Sequence, residues 1–173
     1  MFRSVSAFAA LSLLIVLAAP APAGAEEITA LGSFDNWAAY QTTQAGKTLC
    51  YMASEPKKST GQYKKRGRVY AMVSHRPATK ATNVVSIHAG YKYKEDSSVF
   101  VKIGGNKFEL FTHGDTAWAT DAAEDKALVR AMKKGSRMVV RGASWRGTKT
   151  VDTFSLLGFT AAHRAIDKAC GVR

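Results

Sequence analysis

The sequence predicts a mainly β protein: a single antiparallel β-sandwich or open barrel with one mid-chain helix and one C-terminal helix. Three observations carry that reading. Short stretches rich in Val, Tyr, Ile and Phe recur between Gly-containing turns. The segment SVFVKIGGNKFELFT (98–112) alternates apolar and polar residues on both sides of a GGN turn. Only two later stretches have helical periodicity, DAAEDKALVRAMKKG (121–135) and FTAAHRAIDKAC (159–170).

In chain order, NWAAYQTT (36–43) and KTLCYMAS (47–54) form a first hairpin across QAG, followed by strands GRVYAMVSH (67–75) and NVVSIHAG (83–90). In the 98–112 hairpin, Val99, Val101 and Ile103 share one face, while Phe108 and Leu110 alternate with Lys107, Glu109 and Phe111. HGD (113–115) reads as a polar turn. RMVVRGAS (137–144) and KTVDTFSLLG (149–158) make a last pair across WRGT.

The mid-chain helix opens on Asp121 with Glu124 three residues later, a capping-box pattern. Its acids come early and its bases late, as the helix dipole favours, and Gly135 is placed as a C-terminal stop. In the last helix, His163, Asp167 and Cys170 fall at i, i+4 and i+7, which suggests either a catalytic trio or half a metal site. Helical angles divide them. Cys170 lies in the apolar arc with Phe159, Ala162 and Ile166, His163 borders the arc, and Asp167 falls outside it. The favoured reading is a packing helix.

Residues 1–25 read as a secretory signal peptide: a positive charge at Arg3, an apolar core from Ala7 to Ala19, and Ala23 and Ala25 before the cut. Cleavage after Ala25 leaves 26–173 as one domain with no later stretch apolar enough to span a bilayer. The destination is periplasmic, secreted or surface-associated. Cys50 and Cys170 are the only cysteines, and in an oxidising compartment two cysteines most simply form one disulfide.

The chain carries 25 Lys+Arg against 13 Asp+Glu, a formal charge of +12, and loss of the leader removes only Arg3. Such a surface attracts polyanions: lipopolysaccharide, acidic glycans, anionic lipid heads. Export argues against nucleic acid. The basic residues concentrate in EPKKSTGQYKKRGR (55–68), a polar loop whose Lys57, Lys58, Lys64, Lys65, Arg66 and Arg68 are the candidate polyanion-binding residues.

Catalytic signatures are missing: no Cys-x-x-Cys, His-Glu-x-x-His, Walker loop or Gly-x-Gly-x-x-Gly occurs. GASWR (142–146) begins like a nucleophile elbow, but Arg146 stands where the second glycine belongs, so Ser144 reads as the end of a strand. None of His75, His88, His113 and His163 stands at metal spacing with another His or Cys, so no metal or cofactor is expected.

FDNWAAY, the cysteine in LCYM, and above all FSLLGFTAAHRAID make the chain resemble the invasion-associated locus B family of alphaproteobacteria over roughly 34–170. The resemblance implies a small exported, mostly β protein of the periplasm or surface, linked in some pathogens to host-cell entry, with no enzymatic activity. Many members carry a further cysteine pair mid-chain and a cysteine soon after the early Trp, which this sequence lacks. The expected function is a non-enzymatic envelope protein that binds polyanionic envelope or host-surface components through a basic face. The alternatives are a structural or chaperone-like partner of other envelope proteins, and a hydrolase with an unrecognised site.

Overall fold

The computed structural model describes residues 27–172, so the leader expected at 1–25 lies outside the described residues. The strands are β1 (Thr29–Phe34), β2 (Trp37–Gln44), β3 (Lys47–Ser54), β4 (Lys58–Gly61), β5 (Tyr70–Arg76), β6 (Ala81–His88), β7 (Val99–Ile103), β8 (Asn106–His113), β9 (Thr116–Trp118), β10 (Arg137–Ala143) and β11 (Lys149–Ser155). The helices are α1 (Ala122–Lys134) and α2 (Phe159–Cys170). All strand pairs are antiparallel, in one eleven-stranded sheet of order β1-β2-β3-β5-β6-β9-β8-β7-β10-β11-β4. The sheet is not closed, and β1 and β4 are its free edges. Among the described residues no helix is long and apolar enough to cross a membrane.

Alternation along the strands builds one inner surface. Trp37, Ala39, Cys50, Met52, Ala71, Val73, Val85 and Ile87 line it on one half of the sheet; Val99, Val101, Ile103, Leu110, Met138, Val140 and Phe154 line it on the other. The turn between β1 and β2 reaches the end of β11. The Trp37 indole N–H donates to the Ser155 carbonyl (3.0 Å) and the Asn36 amide to Ser155 Oγ (2.9 Å).

The hairpins expected at 36–54 and 98–112 form, with Val99, Val101 and Ile103 buried and Phe100 and Lys102 outside. Three strands were not legible. β9 has only three residues, β1 is interrupted by a register shift at Ala30/Gly32, and β4 lies inside the stretch read as a basic loop. Its pairing with β11 satisfies backbone groups that β11 would otherwise expose at the sheet edge.

α1 starts as expected, with the Asp121 carboxylate accepting from the Ala123 and Glu124 N–H groups (both 2.8 Å). The Glu124 side chain turns instead to Thr120, accepting from its N–H and hydroxyl. Gly135 ends α1 as expected, its N–H donating to the Ala131 carbonyl (2.9 Å). Its backbone is extended (φ −89°), and glycine is needed because a Cβ there would lie 2.5 Å from Ile103 Cγ2. Along β6, β9 reaches only Ser86–His88, so the Val85 N–H lies beyond it; Asp125 of α1 accepts that N–H (2.8 Å). α2 packs across β1, β2, β3 and β5, with Phe159 edge-on to Trp37 (ring centroids 5.0 Å apart).

Candidate functional site

The basic stretch does not present its cations as one patch. Lys57 and Arg68 flank one groove, Lys64 and Lys65 line another, and Lys58 stands on β4. Arg68 pairs with Glu55 (2.7 Å) in full view of solvent, a contact of small value. Arg66 departs from the expected exposed cation. Its guanidinium meets both Asp152 oxygens at 2.7 Å, its Nε–H donates to the Ala89 carbonyl (2.7 Å), and both side chains are 4% exposed. Its charge is already matched inside the fold.

Strand register instead collects cations on the outer face of the β4-β11-β10-β7-β8 half. One row across the strands reads Lys58, Thr153, Val139, Lys102, Lys107, and the next Thr60, Val151, Arg141, Phe100, Glu109. Arg137 continues β10 on the same face. Lys58, Lys102, Lys107, Arg137 and Arg141 are exposed, and among the described residues none pairs with a carboxylate. Neighbouring strands stand about 4.8 Å apart, so the charges lie close together across the face. Sequence reading found only Lys58, because the other four are spread over three strands, Lys102 in β7, Lys107 in β8 and Arg137 and Arg141 in β10.

Beside this face, Gln62, Tyr63, Lys64 and Lys65 oppose Ser144, Trp145, Arg146 and Thr148 across a groove of about 670 Å³. Trp145 is 60% exposed, and the Arg146 guanidinium lies 4.6 Å from its ring centroid. Ser144 Oγ accepts the Thr148 N–H (3.2 Å) and so braces the turn after β10.

The histidines hold the feature sequence reading missed. His75 Nε2 lies 2.9 Å from Asp167 Oδ1, and His163 Nδ1 lies 2.8 Å from Asp167 Oδ2. His163, expected at the border of the buried arc, is 2% exposed, and Asp167, expected outside, bridges the two rings. The i, i+4 spacing of His163 and Asp167 was visible; the third member comes from β5, 92 residues before Asp167. Cys50 and Cys170 join as a disulfide beside this cluster, with Cys50 directly opposite His75 in the β3–β5 register.

The three side chains bring ligand-type atoms within 4.8 Å of one another. Proton placement argues against a cation there. The Asn83 backbone N–H donates to His75 Nδ1 (3.0 Å), so the neutral ring carries its proton on Nε2, the atom that would have to ligate. Burial lowers the pKa of both rings, that of His163 to about 4. Asp167 and the Asn83 side-chain oxygen (2.7 Å from Nε2) flank His163 and would suit a charged ring, but burial outweighs them. Near neutral pH burial therefore favours the uncharged ring. The cluster works as a buried strut between α2, β5 and β6.

Fold and bridge define the class first: an open, disulfide-tied antiparallel β domain with a basic exterior. The model of the invasion associated locus B (IalB) protein family matches residues 37–167, and the chain belongs to that family. The family is not one of known enzymes, and its members are exported. Among solved structures, the crystal structure of invasion associated protein B from Bartonella henselae is similar, with a TM-score of 0.56 at 15% identity, covering 84% of this chain and 97% of that one. At that identity the likeness concerns the fold alone. No curated protein matches the chain.

Proposed function

We propose that this protein is a non-enzymatic envelope protein that binds polyanionic envelope or host-surface components through the outer face of β4, β11, β10, β7 and β8. The observation that carries the reading is the set of five exposed, unpaired cations that register places on that face. A high net positive charge costs self-repulsion in the folded state, and an anionic surface relieves it. Each Lys or Arg near an anionic surface contributes about 1 kcal/mol, so five together suffice for salt-sensitive attachment. Lys57, Lys64, Lys65 and Arg68 extend the field at its margins, and Arg66 does not. Export by the leader at 1–25, with Glu26 as the new N-terminus, places the face where such polymers occur.

The test is retention on immobilised heparin and on lipopolysaccharide across a salt series. The wild type should be held at low salt and released as ionic strength rises. The variant K58Q/K102Q/K107Q/R137Q/R141Q should elute at a clearly lower salt concentration than the wild type; elution at the wild-type salt concentration would sink the reading. A role as partner of other envelope proteins through a sheet edge has weaker support. β4 is four residues long and β1 is interrupted at Ala30/Gly32, both features that discourage strand addition.

A further inference from the structure

We infer that the groove between Gln62–Lys65 and Ser144–Thr148 is a subsite for one acidic sugar unit, carboxylated or sulfated, of the polymer that the basic face attracts. The choice of an anionic ligand rests on the proposed function; the site itself rests on four observations.

The groove is built for a small anion. Lys64, Lys65 and Arg146 line it, and no carboxylate does. Its volume of about 670 Å³ falls within the roughly 300–1,000 Å³ of ordinary small-ligand sites. It offers two aromatic side chains, Tyr63 (37% exposed) and Trp145 (60% exposed), against which the C–H face of a pyranose can pack. Hydroxyl groups of Tyr91, Ser144, Thr148 and Thr150 complete the lining and suit a polyhydroxylated ligand.

Both walls are held in place before any ligand arrives. Exposed tryptophan on a tight turn would ordinarily be mobile. Here the Trp145 backbone N–H donates to the Lys92 carbonyl (2.9 Å), the turn is closed by the Ser144 backbone N–H to the Thr148 carbonyl (2.9 Å), and Arg146 lies over the indole. The opposite wall is fixed by its next residue, Arg66. Its buried pair with Asp152 anchors the chain, and its guanidinium lies 5.4 Å from the Tyr63 ring centroid and 4.9 Å from that of Tyr91. Beneath, the Tyr91 and Thr150 hydroxyls bond to each other (2.6 Å). A cleft whose backbone walls are tied in this way loses less entropy on binding than a free loop would.

The experiment titrates the full chain with a heparin-derived tetrasaccharide and, in parallel, with neutral maltotetraose, following intrinsic tryptophan fluorescence and calorimetry. The acidic tetrasaccharide should bind and the neutral one should not. W145A and R146Q should each weaken binding at least about tenfold, the scale of an aromatic or arginine hot spot. Both residues are exposed, so unchanged thermal unfolding of the variants will show that the fold survives. In the K58Q/K102Q/K107Q/R137Q/R141Q background, W145A should still weaken tetrasaccharide binding at least about tenfold. Equal binding of neutral and acidic sugars, or wild-type affinity in W145A and R146Q, would overturn the subsite. Long-chain heparin retention that persists in that case would leave the basic face standing. Tetrasaccharide binding together with wild-type heparin elution of the K58Q/K102Q/K107Q/R137Q/R141Q variant would uphold the groove and remove the face.

Discussion

Arg66 and Asp152 lie 86 residues apart in sequence, and nothing local distinguishes Arg66 from the bases around it. Only the fold brings the carboxylate that buries it. Removing one partner strands a charge in the interior, so D152A should cost about 3–5 kcal/mol in urea denaturation, whereas R66M/D152L should recover much of that loss. Recovery no better than the single variant would mean that the pair contributes more than mutual neutralisation. The histidines give a pH prediction. Burial lowers the pKa of His75, His88 and His163, the last to about 4, whereas an unfolded histidine titrates near 6.5. The unfolded chain therefore takes up protons first, and the stability these rings contribute, complete above about pH 6.5, is lost as pH falls toward about 4. Asp125 acts in the opposite direction: burial raises it to about 6, so its contribution is present below the ordinary carboxylate range and is lost as pH rises through about 6. Three rings outweigh one carboxylate, and the melting temperature should fall between pH 6.5 and 4. H163Q should flatten that fall; a melting temperature that climbs on acidification would refute the balance.

Among the elements, those with strict alternation or complete caps were legible. β7 and β8 announce themselves by period two around Gly104–Gly105, and α1 by Asp121 and its charge order. β4 and β9 were not, because four and three residues cannot display a period and their partners decide them. The cluster under α2 failed for a related reason. A helical wheel places His163 relative to its own helix, while burial depends on what β5 and β6 lay against it. Gly158 joins sequence and structure most directly. It is the glycine of SLLGF, it precedes α2 at φ +86°, and a Cβ there would lie 1.9 Å from the Phe34 carbonyl oxygen. G158A should therefore cost about 3 kcal/mol or more. G46A, at φ +73° with open space around it, should cost only about 1 kcal/mol in the same denaturation series.

For the whole molecule, residue patterning pointed to the β domain and cysteine count to its bridge, but a linear reading could not assemble a face from five strands. The bridge closes a separation of 120 residues, for which the chain-entropy model gives about 4–5 kcal/mol. C50S/C170S should lose stability on that scale, and a loss below about 1 kcal/mol would show that the unfolded chain is already constrained. The bridge also sets how the molecule carries load. A pull between the two ends of the chain passes from β3 through the sulfur atoms to the end of α2, bypassing everything between Cys50 and Cys170. Only β1, β2 and the start of β3 can be drawn out while the bond is intact. The basic face, the groove and the histidine strut all lie on the unloaded side or at its boundary. Reduction would release the enclosed loop, roughly 400 Å of chain at about 3.3–3.6 Å per residue. A protein held to a surface by its cations and tugged at its ends would thus keep its gripping face folded for as long as the two sulfurs stay joined.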